Sequence, residues 1–267
     1  MLFNGADLTR LRARDFRKLR GREISMILQE SISALNPVMT IGDQISEAIR
    51  VHNDASRSKR RRLAIELLDV VGIPEPDVRY KRYPHELSGG MRQRAMIAIA
   101  IANRPSLLIA DEPTTALDVT IQAQIVDVLK RAQEESDAAT LLVTHDLGLV
   151  SQIADRIVVM YAGRVVETGD IHSAFSSPRH PYTIGLLESV PRLTEDAEWL
   201  TPIPGQPPSL LEPPSGCPFH PRCFLSNERT RCREETPALR EIASGQLAAC
   251  HFAEGLEGSA GGSIVAR

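Results

Sequence analysis

Short apolar runs of strand length alternate with longer stretches of helical character between residues 24 and 167, and no other feature constrains the fold as tightly. Residues 24–29, 106–110, 139–144, 157–161 and 164–167 read as strands; 41–52, 58–71, 88–103, 120–135 and 146–153 read as helices. Strands separated by helices call for crossover connections, so the pattern predicts an α/β domain with a mainly parallel sheet. Within 58–71, Leu63, Leu67, Val70 and Val71 supply an apolar stripe, and Gly72 is a good stop. Ahead of this pattern, Asn4-Gly5 reads as a tight hairpin turn. Only three residues precede it, so the turn reads either as a frayed terminus or as a hairpin whose partner strand lies outside the chain.

Composition removes several classes of function. The chain has 267 residues, 42% of them hydrophobic and 24% charged, which is the balance of a globular protein. A net charge of −3 argues against a nucleic-acid partner. The basic run from Arg57 to Arg62 has no interleaved aromatics and reads as the solvated face of a helix. The longest apolar run, residues 95–102, is too short for a membrane span, which needs about twenty residues. Eight prolines lie between Pro202 and Pro221, which rules out a helix or central strand there and predicts a linker or wrapped loop. All four cysteines lie after residue 216, and residues 255–267 read as a disordered tail.

The residues that carry chemistry cluster at strand ends. Leu107 to Ala110 is an apolar run that ends in Asp111-Glu112, so a buried strand would deliver two carboxylates to the ligand-binding edge of the sheet. The first suits a Mg²⁺ shell and the second can orient and deprotonate water. In Leu87-Ser88-Gly89-Gly90-Met91-Arg92-Gln93-Arg94, Ser88 is an N-cap, and two glycines leave backbone N–H groups open to an anion. Gln29 and Thr144-His145 end two further strands, and Asp118 either caps the helix after it or reaches beyond its own turn.

Taken in order, Gln29, Leu87-Ser88-Gly89-Gly90, Asp111-Glu112, Asp118 and His145 resemble the Q-loop, signature motif, Walker B, D-loop and H-loop of an ABC-type ATPase. Residues 24–29 followed by Ser33-Ala34-Leu35-Asn36-Pro37 look like the oligopeptide/dipeptide (and nickel) importer branch. So do His180-Pro181-Tyr182-Thr183, Gly216-Cys217-Pro218-Phe219 and Arg222-Cys223. The resemblance implies an ABC ATPase domain at 1–177 with a helical subdomain at about 40–105, and a transporter-type extension at 178–254. It implies a cassette dimer, identical or mixed, that sandwiches ATP and Mg²⁺ between signature motif and phosphate site. Asp111 would hold the Mg²⁺ shell, Glu112 would be the general base, and His145 would position γ-phosphate and water. Gln29 would sense Mg²⁺, while Ser88, Gly89, Gly90, Gln93 and Asp118 would serve nucleotide across the dimer. Two transmembrane permease subunits and a separate solute-binding protein would complete the system at the cytoplasmic membrane face.

A phosphate cradle of the form Gly-x-x-x-x-Gly-Lys-[Ser/Thr] should precede the Q-loop. The chain holds four lysines, Lys18, Lys59, Lys81 and Lys130, and none follows a glycine. The expectation is therefore a P-loop-type ABC ATPase domain that is N-terminally incomplete, either a fragment or a degenerate subunit that completes an intact partner's ATP site. On that expectation the isolated chain is inactive as an ATPase. A non-catalytic regulatory or scaffold subunit stays open on the same ground. A DNA-repair-type ABC ATPase is disfavoured, because the 59-residue step from Gln29 to Ser88 leaves no room for a coiled-coil insertion.

The spacing C-x₅-C-x₈-C-x₁₇-C of Cys217, Cys223, Cys232 and Cys250 lacks the tight pairs of a zinc finger. Four thiolates on a loop suit a [4Fe–4S] cluster, with zinc and plain reduced thiols as the alternatives. Some members of the resembled branch carry such a cluster.

Overall fold

The computed structural model describes residues 1–29, 34–115, 118–190, 202–226 and 229–256. Ser33, Ala116, Leu117 and the tail from 257 lie outside the described residues. The chain divides into two compact units, Met1–His145 and Asp146–Arg267.

The first unit opens on a hairpin of β1 (Leu2–Phe3) and β2 (Ala6–Asp7), paired antiparallel with Leu2 opposite Asp7 and Phe3 opposite Ala6. Asn4 and Gly5 both have positive φ, 46° and 78°, as the turn requires. The expectation of a partner strand outside the chain is thus corrected, since residues ahead of the turn pair with those behind it. A short helix, α1 (Ala13–Leu19), follows, and then β3 (Ile24–Ile27).

Three helices form from good local signals. In α2 (Ile41–His52), Thr40 caps the first turn, and Ile41, Ile45 and Ile49 recur on one buried face. The next, α3 (Arg57–Val70), starts at the Ser56 cap. It stops at Gly72 (φ +69°), where Ile73 N–H donates to the Leu68 carbonyl and Gly72 N–H to Asp69. After the short α4 (Pro76–Arg79) comes α5 (Gly89–Ile101), buried along most of its length. Two more strands and a helix complete the unit: β4 (Leu107–Asp111), α6 (Val119–Ser136) and β5 (Ala139–Val143).

Strands β3, β4 and β5 form a parallel sheet in that order, with Ile27 beside Ala110 and Ala110 beside Leu142. The pleat sends Ile27, Leu108 and Ala110 into the core, while Met26 and Leu141 on the opposite face are half-exposed. Because all three strands point the same way, the segments after Ile27, Asp111 and Val143 emerge at one edge.

The second unit begins with α7 (Leu147–Ile153), β6 (Arg156–Tyr161) and β7 (Arg164–Asp170), the two strands joined through Ala162-Gly163 with positive φ at both residues. Next come α8 (Ile171–Ser176) and α9 (Pro181–Glu188). Residues 202–219 hold no helix or strand, as the prolines require. After α10 (Thr230–Glu234), β8 (Arg240–Ala243) and β9 (Gln246–Ala248) return to the sheet, which runs β6-β7-β9-β8 and is antiparallel throughout. Residues 240–248 are thereby built into the unit. Phe219 packs edge-on against Tyr161, and Gly216 at φ +66° admits no side chain because a Cβ would stand 2.5 Å from the Cys232 carbonyl.

Glu167 anchors this arrangement from a fully buried position. Its carboxylate accepts from Arg179 N–H at 2.7 Å, His180 N–H at 2.9 Å and Gln246 Nε2 at 3.0 Å, which ties β7 to the start of α9 and to β9. Burial raises the Glu167 pKa, and burial depresses that of His180 to about 3. An unfolded chain protonates this histidine near its ordinary value, whereas the folded one does not until about pH 3. The histidine's contribution to stability is therefore lost as pH falls below about 6.5, at roughly 1.4 kcal/mol per pH unit. Urea melts should show His180→Asn, which keeps a helix-capping acceptor, with a shallower acid loss than the parent; equal slopes would refute this.

Candidate functional site

The edge where β3, β4 and β5 end carries a cluster of polar side chains around Glu112. Gln29, just past β3, donates from Nε2 to Glu112 Oε2 at 2.9 Å. Thr115, in the turn after β4, donates from Oγ1 to the same oxygen at 2.8 Å. His145, just past β5, stands with Nδ1 at 3.3 Å from Glu112 Oε1. Gln29 and His145, 83 and 33 positions from Glu112, thus meet it because their strands are parallel and in register.

Local structure fixes the carboxylate. Glu112 has φ 44°, a left-handed conformation that costs energy for a residue with a Cβ. Two backbone bonds hold it there: Glu112 N–H donates to Val143 carbonyl at 2.8 Å, and Thr115 N–H to Glu112 carbonyl at 3.2 Å. Pro113 between them suits the first central position of such a turn. The Glu112 pKa is lowered, first by the Thr115 hydroxyl and then by His145, against a smaller opposing effect of burial. At neutral pH the group is an ionised acceptor, as a general base must be. The His145 side chain is 77% exposed and Glu112 28%, so the cluster lies open to solvent.

Asp111 is the last residue of β4, next to Glu112 and half-buried. Its carboxylate and the amide oxygen of Gln29, the end not used in the bond to Glu112, are the hard donors that Mg²⁺ prefers.

The other expected residues sit on helix starts. Ser88 caps α5, its Oγ accepting from Met91 N–H at 3.3 Å. Gly89 has open space where a Cβ would be, whereas a Cβ on Gly90 would stand 2.9 Å from Ile121 Cγ2. One glycine therefore leaves the helix start accessible and the other permits close packing on α6. Gln93 is buried, 4% exposed, with Nε2 unpartnered among the described residues. Arg94 bonds the Gly72 carbonyl at 2.6 Å and Gln124 at 2.8 Å, which fastens α5 to the end of α3 and to α6. Asp118 caps α6 by accepting from Ile121 N–H at 3.0 Å. Sequence reasoning missed Thr115: two threonines follow Pro113, and nothing in the string says which hydroxyl turns back.

Comparison with known proteins identifies the arrangement. The dipeptide transport ATP-binding protein DppD of Escherichia coli (strain K12) is 53% identical over 250 residues, covering 94% of this chain and 76% of that protein. The chain belongs to the ATP-binding subunits of ABC transporters, oligopeptide/dipeptide branch. DppD of Bacillus subtilis (strain 168) is also 53% identical, over 84% of this chain and 67% of that protein. OppD of Mycobacterium bovis, an oligopeptide transport ATP-binding protein, is 51% identical over 97% of this chain and 42% of its own length. The family profile "Oligopeptide/dipeptide transporter, C-terminal region" matches residues 166–232, and the "ABC transporter" profile matches residues 1–115. Among solved structures, the dimeric ATP-binding cassette MJ0796 bound to ADP and Pi aligns with a TM-score of 0.57. It is 28% identical over 63% of this chain and 72% of that one. The protein is an ABC-type ATPase.

The match from residue 1 to residue 115 corrects one expectation. It takes in the whole stretch ahead of Gln29, so the ATPase domain does not count as lacking its N-terminal P-loop region, and "N-terminally incomplete" falls away from the fold class. The lysine count tests a single dipeptide, whereas the family match spans 115 residues. The expectation that the isolated chain is inactive rests on the same premise and is withdrawn.

In the second unit, all four cysteines are free thiols, Cys232 and Cys250 buried and Cys217 and Cys223 half-buried. Burial raises every one of their pKa values, Cys223 to about 12 and Cys250 to about 11. Cys223 also feels the charges of the other three. Among the described residues, no three His, Cys, Asp or Glu side chains are grouped as metal ligands, so these thiols do not form a ready shell for a cluster or zinc.

Gly89 offers a direct test of the signature helix. Its Cβ position is empty and its backbone helical, so Gly89→Ala should leave the melting temperature unchanged or slightly raised. It should nevertheless slow ATP hydrolysis at least ~10-fold if the helix start receives phosphate. Unchanged hydrolysis would remove Gly89 from the site.

Proposed function

We propose that this chain hydrolyses ATP to drive import of dipeptides or oligopeptides, as the peripheral ATPase of an assembly at the cytoplasmic face of the membrane. Its partners in this reading are a second ATPase subunit, two membrane-spanning permeases and a separate solute-binding protein. The observation that carries the chemistry is the convergence of Gln29 and His145 on Glu112 at the edge of the parallel sheet. The peptide class follows from the relatives' names and from the match over residues 166–232. No helix among the described residues is long and apolar enough to cross a membrane; in this reading the permeases supply the passage.

In this mechanism Glu112 takes the proton of the attacking water. Of its two oxygens, Oε2 already receives two hydrogen bonds, whereas among the described residues Oε1 has only the 3.3 Å contact to His145 and is the one left to act. His145 stands beside that oxygen, where its ring can orient the water and the terminal phosphate. Asp111 and the Gln29 amide oxygen would hold Mg²⁺, which supplies neutralisation of phosphate charge when bound. Ser88, Gly89, Gly90 and Gln93 would meet nucleotide carried by the second subunit, and Asp118 would lie at that interface. Gln29 carries a further consequence, because an amide that bonds the base and faces the metal can report nucleotide state to the permeases.

The cysteines enter as a proposed [4Fe–4S] site on Cys217, Cys223, Cys232 and Cys250, with zinc as the alternative. It is supported by four thiols free of disulfides in one unit, which would have to draw together from their present positions to share a metal. Anaerobic purification should yield about four iron and four sulfide per chain with absorbance near ~400 nm; stoichiometric zinc, or neither metal, would refute the cluster.

Proteoliposomes carrying this chain with its permeases and binding protein should hydrolyse ATP faster when peptide is added. Glu112→Gln should cost at least ~100-fold, as expected for loss of a general base. Hydrolysis that survives this substitution, or a rate indifferent to peptide, would overturn the proposal.

A further inference from the structure

We infer that Thr115 is a positioning residue for the reaction, its hydroxyl fixing which oxygen of Glu112 faces the water. The inference rests on the proposed role of Glu112 as base and adds a residue to that site. Four observations carry it. Thr115 Oγ1 donates to Glu112 Oε2 at 2.8 Å, the shortest contact the carboxylate makes among the described residues. The same residue's N–H donates to the Glu112 carbonyl, so donor and acceptor belong to one tight turn and move together. Glu112 sits at φ 44°, a conformation that the surrounding bonds must impose. Finally, the neighbouring Thr114 is buried whereas Thr115 is half-buried, and it is the Thr115 hydroxyl that is directed at the carboxylate.

The two donors on Oε2 are not equivalent. Gln29 reaches Glu112 from another strand, 83 positions away, through a flexible side chain that is also the proposed Mg²⁺ sensor. Its amide is shared between Oε2 and the proposed Mg²⁺, so its bond to the carboxylate is free to lengthen as metal binds. Thr115 is the partner that stays, because its reach is set by a turn of four residues closed by Pro113. A β-branched side chain has few rotamers, so the hydroxyl is held in place at small entropic cost. The carboxylate then keeps Oε1 towards His145 and the water through the cycle. Loss of the hydroxyl would let the carboxylate rotate about its last bond, which lowers the fraction of time in which the base is aligned and leaves nucleotide affinity alone.

The test is a set of three chains in the reconstituted transporter: parent, Thr115→Val, which keeps shape and loses the hydroxyl, and Thr115→Ser, which keeps the hydroxyl and loses the methyl. The expected result is a kcat lowered about 10-fold in Thr115→Val, the size of one lost hydrogen bond. KM for ATP should stay within about twofold, and the melting temperature should be unchanged. Thr115→Ser should recover most of the parent kcat. The inference is overturned if Thr115→Val keeps the parent rate, or if Thr115→Ser falls as far as Thr115→Val, which would mark the methyl as a packing element. A parent transporter that does not hydrolyse ATP would overturn the functional reading and this inference together, since a positioning residue needs a base to position. An active parent with an unaffected valine variant overturns the inference alone.

Discussion

The structure depends on one constraint: three parallel strands in register must end together. Ile27, Ala110 and Leu142 stand side by side, so the residues that follow them emerge at a common edge whatever their distance in sequence. Glu112 turns that geometry into chemistry. It is held by a hydroxyl of its own turn and an amide from β3, with a histidine from β5 facing its second oxygen. The left-handed backbone at Glu112 and the closed turn at Pro113–Thr115 are the local cost of pointing a carboxylate along the edge and not back into the core. Burial of Ile27, Leu108 and Ala110 on the covered face offsets that cost.

The second unit follows another rule. Its sheet is antiparallel, and a buried carboxylate ties its later elements to β7. Glu167 collects two consecutive backbone donors at the start of α9 and a side-chain amide from β9, so one residue settles where two later elements sit. A buried acceptor with that many donors is costly to disturb, because each donor would be left unpaired. Gly216 and Phe219 then place the cysteine-bearing loop against the aromatic core.

Much of the first unit was legible in the sequence because its signals are local. Ser88 is an N-cap by residue type and α5 begins directly after it, while Asp118, which could be read two ways, caps α6. The convergence of Gln29, Glu112 and His145 was legible through strand-end chemistry and motif order. Less legible was anything that depends on a partner distant in sequence. Residues 240–248 show little apolar alternation, so β8 and β9 form because β7 offers an edge to pair with. The Asn4-Gly5 turn was read correctly as a turn, but its partner strand is only two residues long, below what periodicity can reveal. The N-terminal region was misjudged because a search for one Gly-Lys step replaced the weaker but longer signal that the family match integrates. Thr115 was invisible for a rotameric reason: adjacent threonines differ in direction, not in type.

The central claim is that Gln29, Glu112 and His145 work as one site. The most direct measurement is ATP turnover in the assembled transporter for Gln29→Ala, His145→Ala and the double variant. Residues that serve a single base lose their effects together, so the double variant should be no slower than the slower single one, within about twofold. Losses that multiply, each substitution acting in full on top of the other, would show two independent contributions and contradict the account.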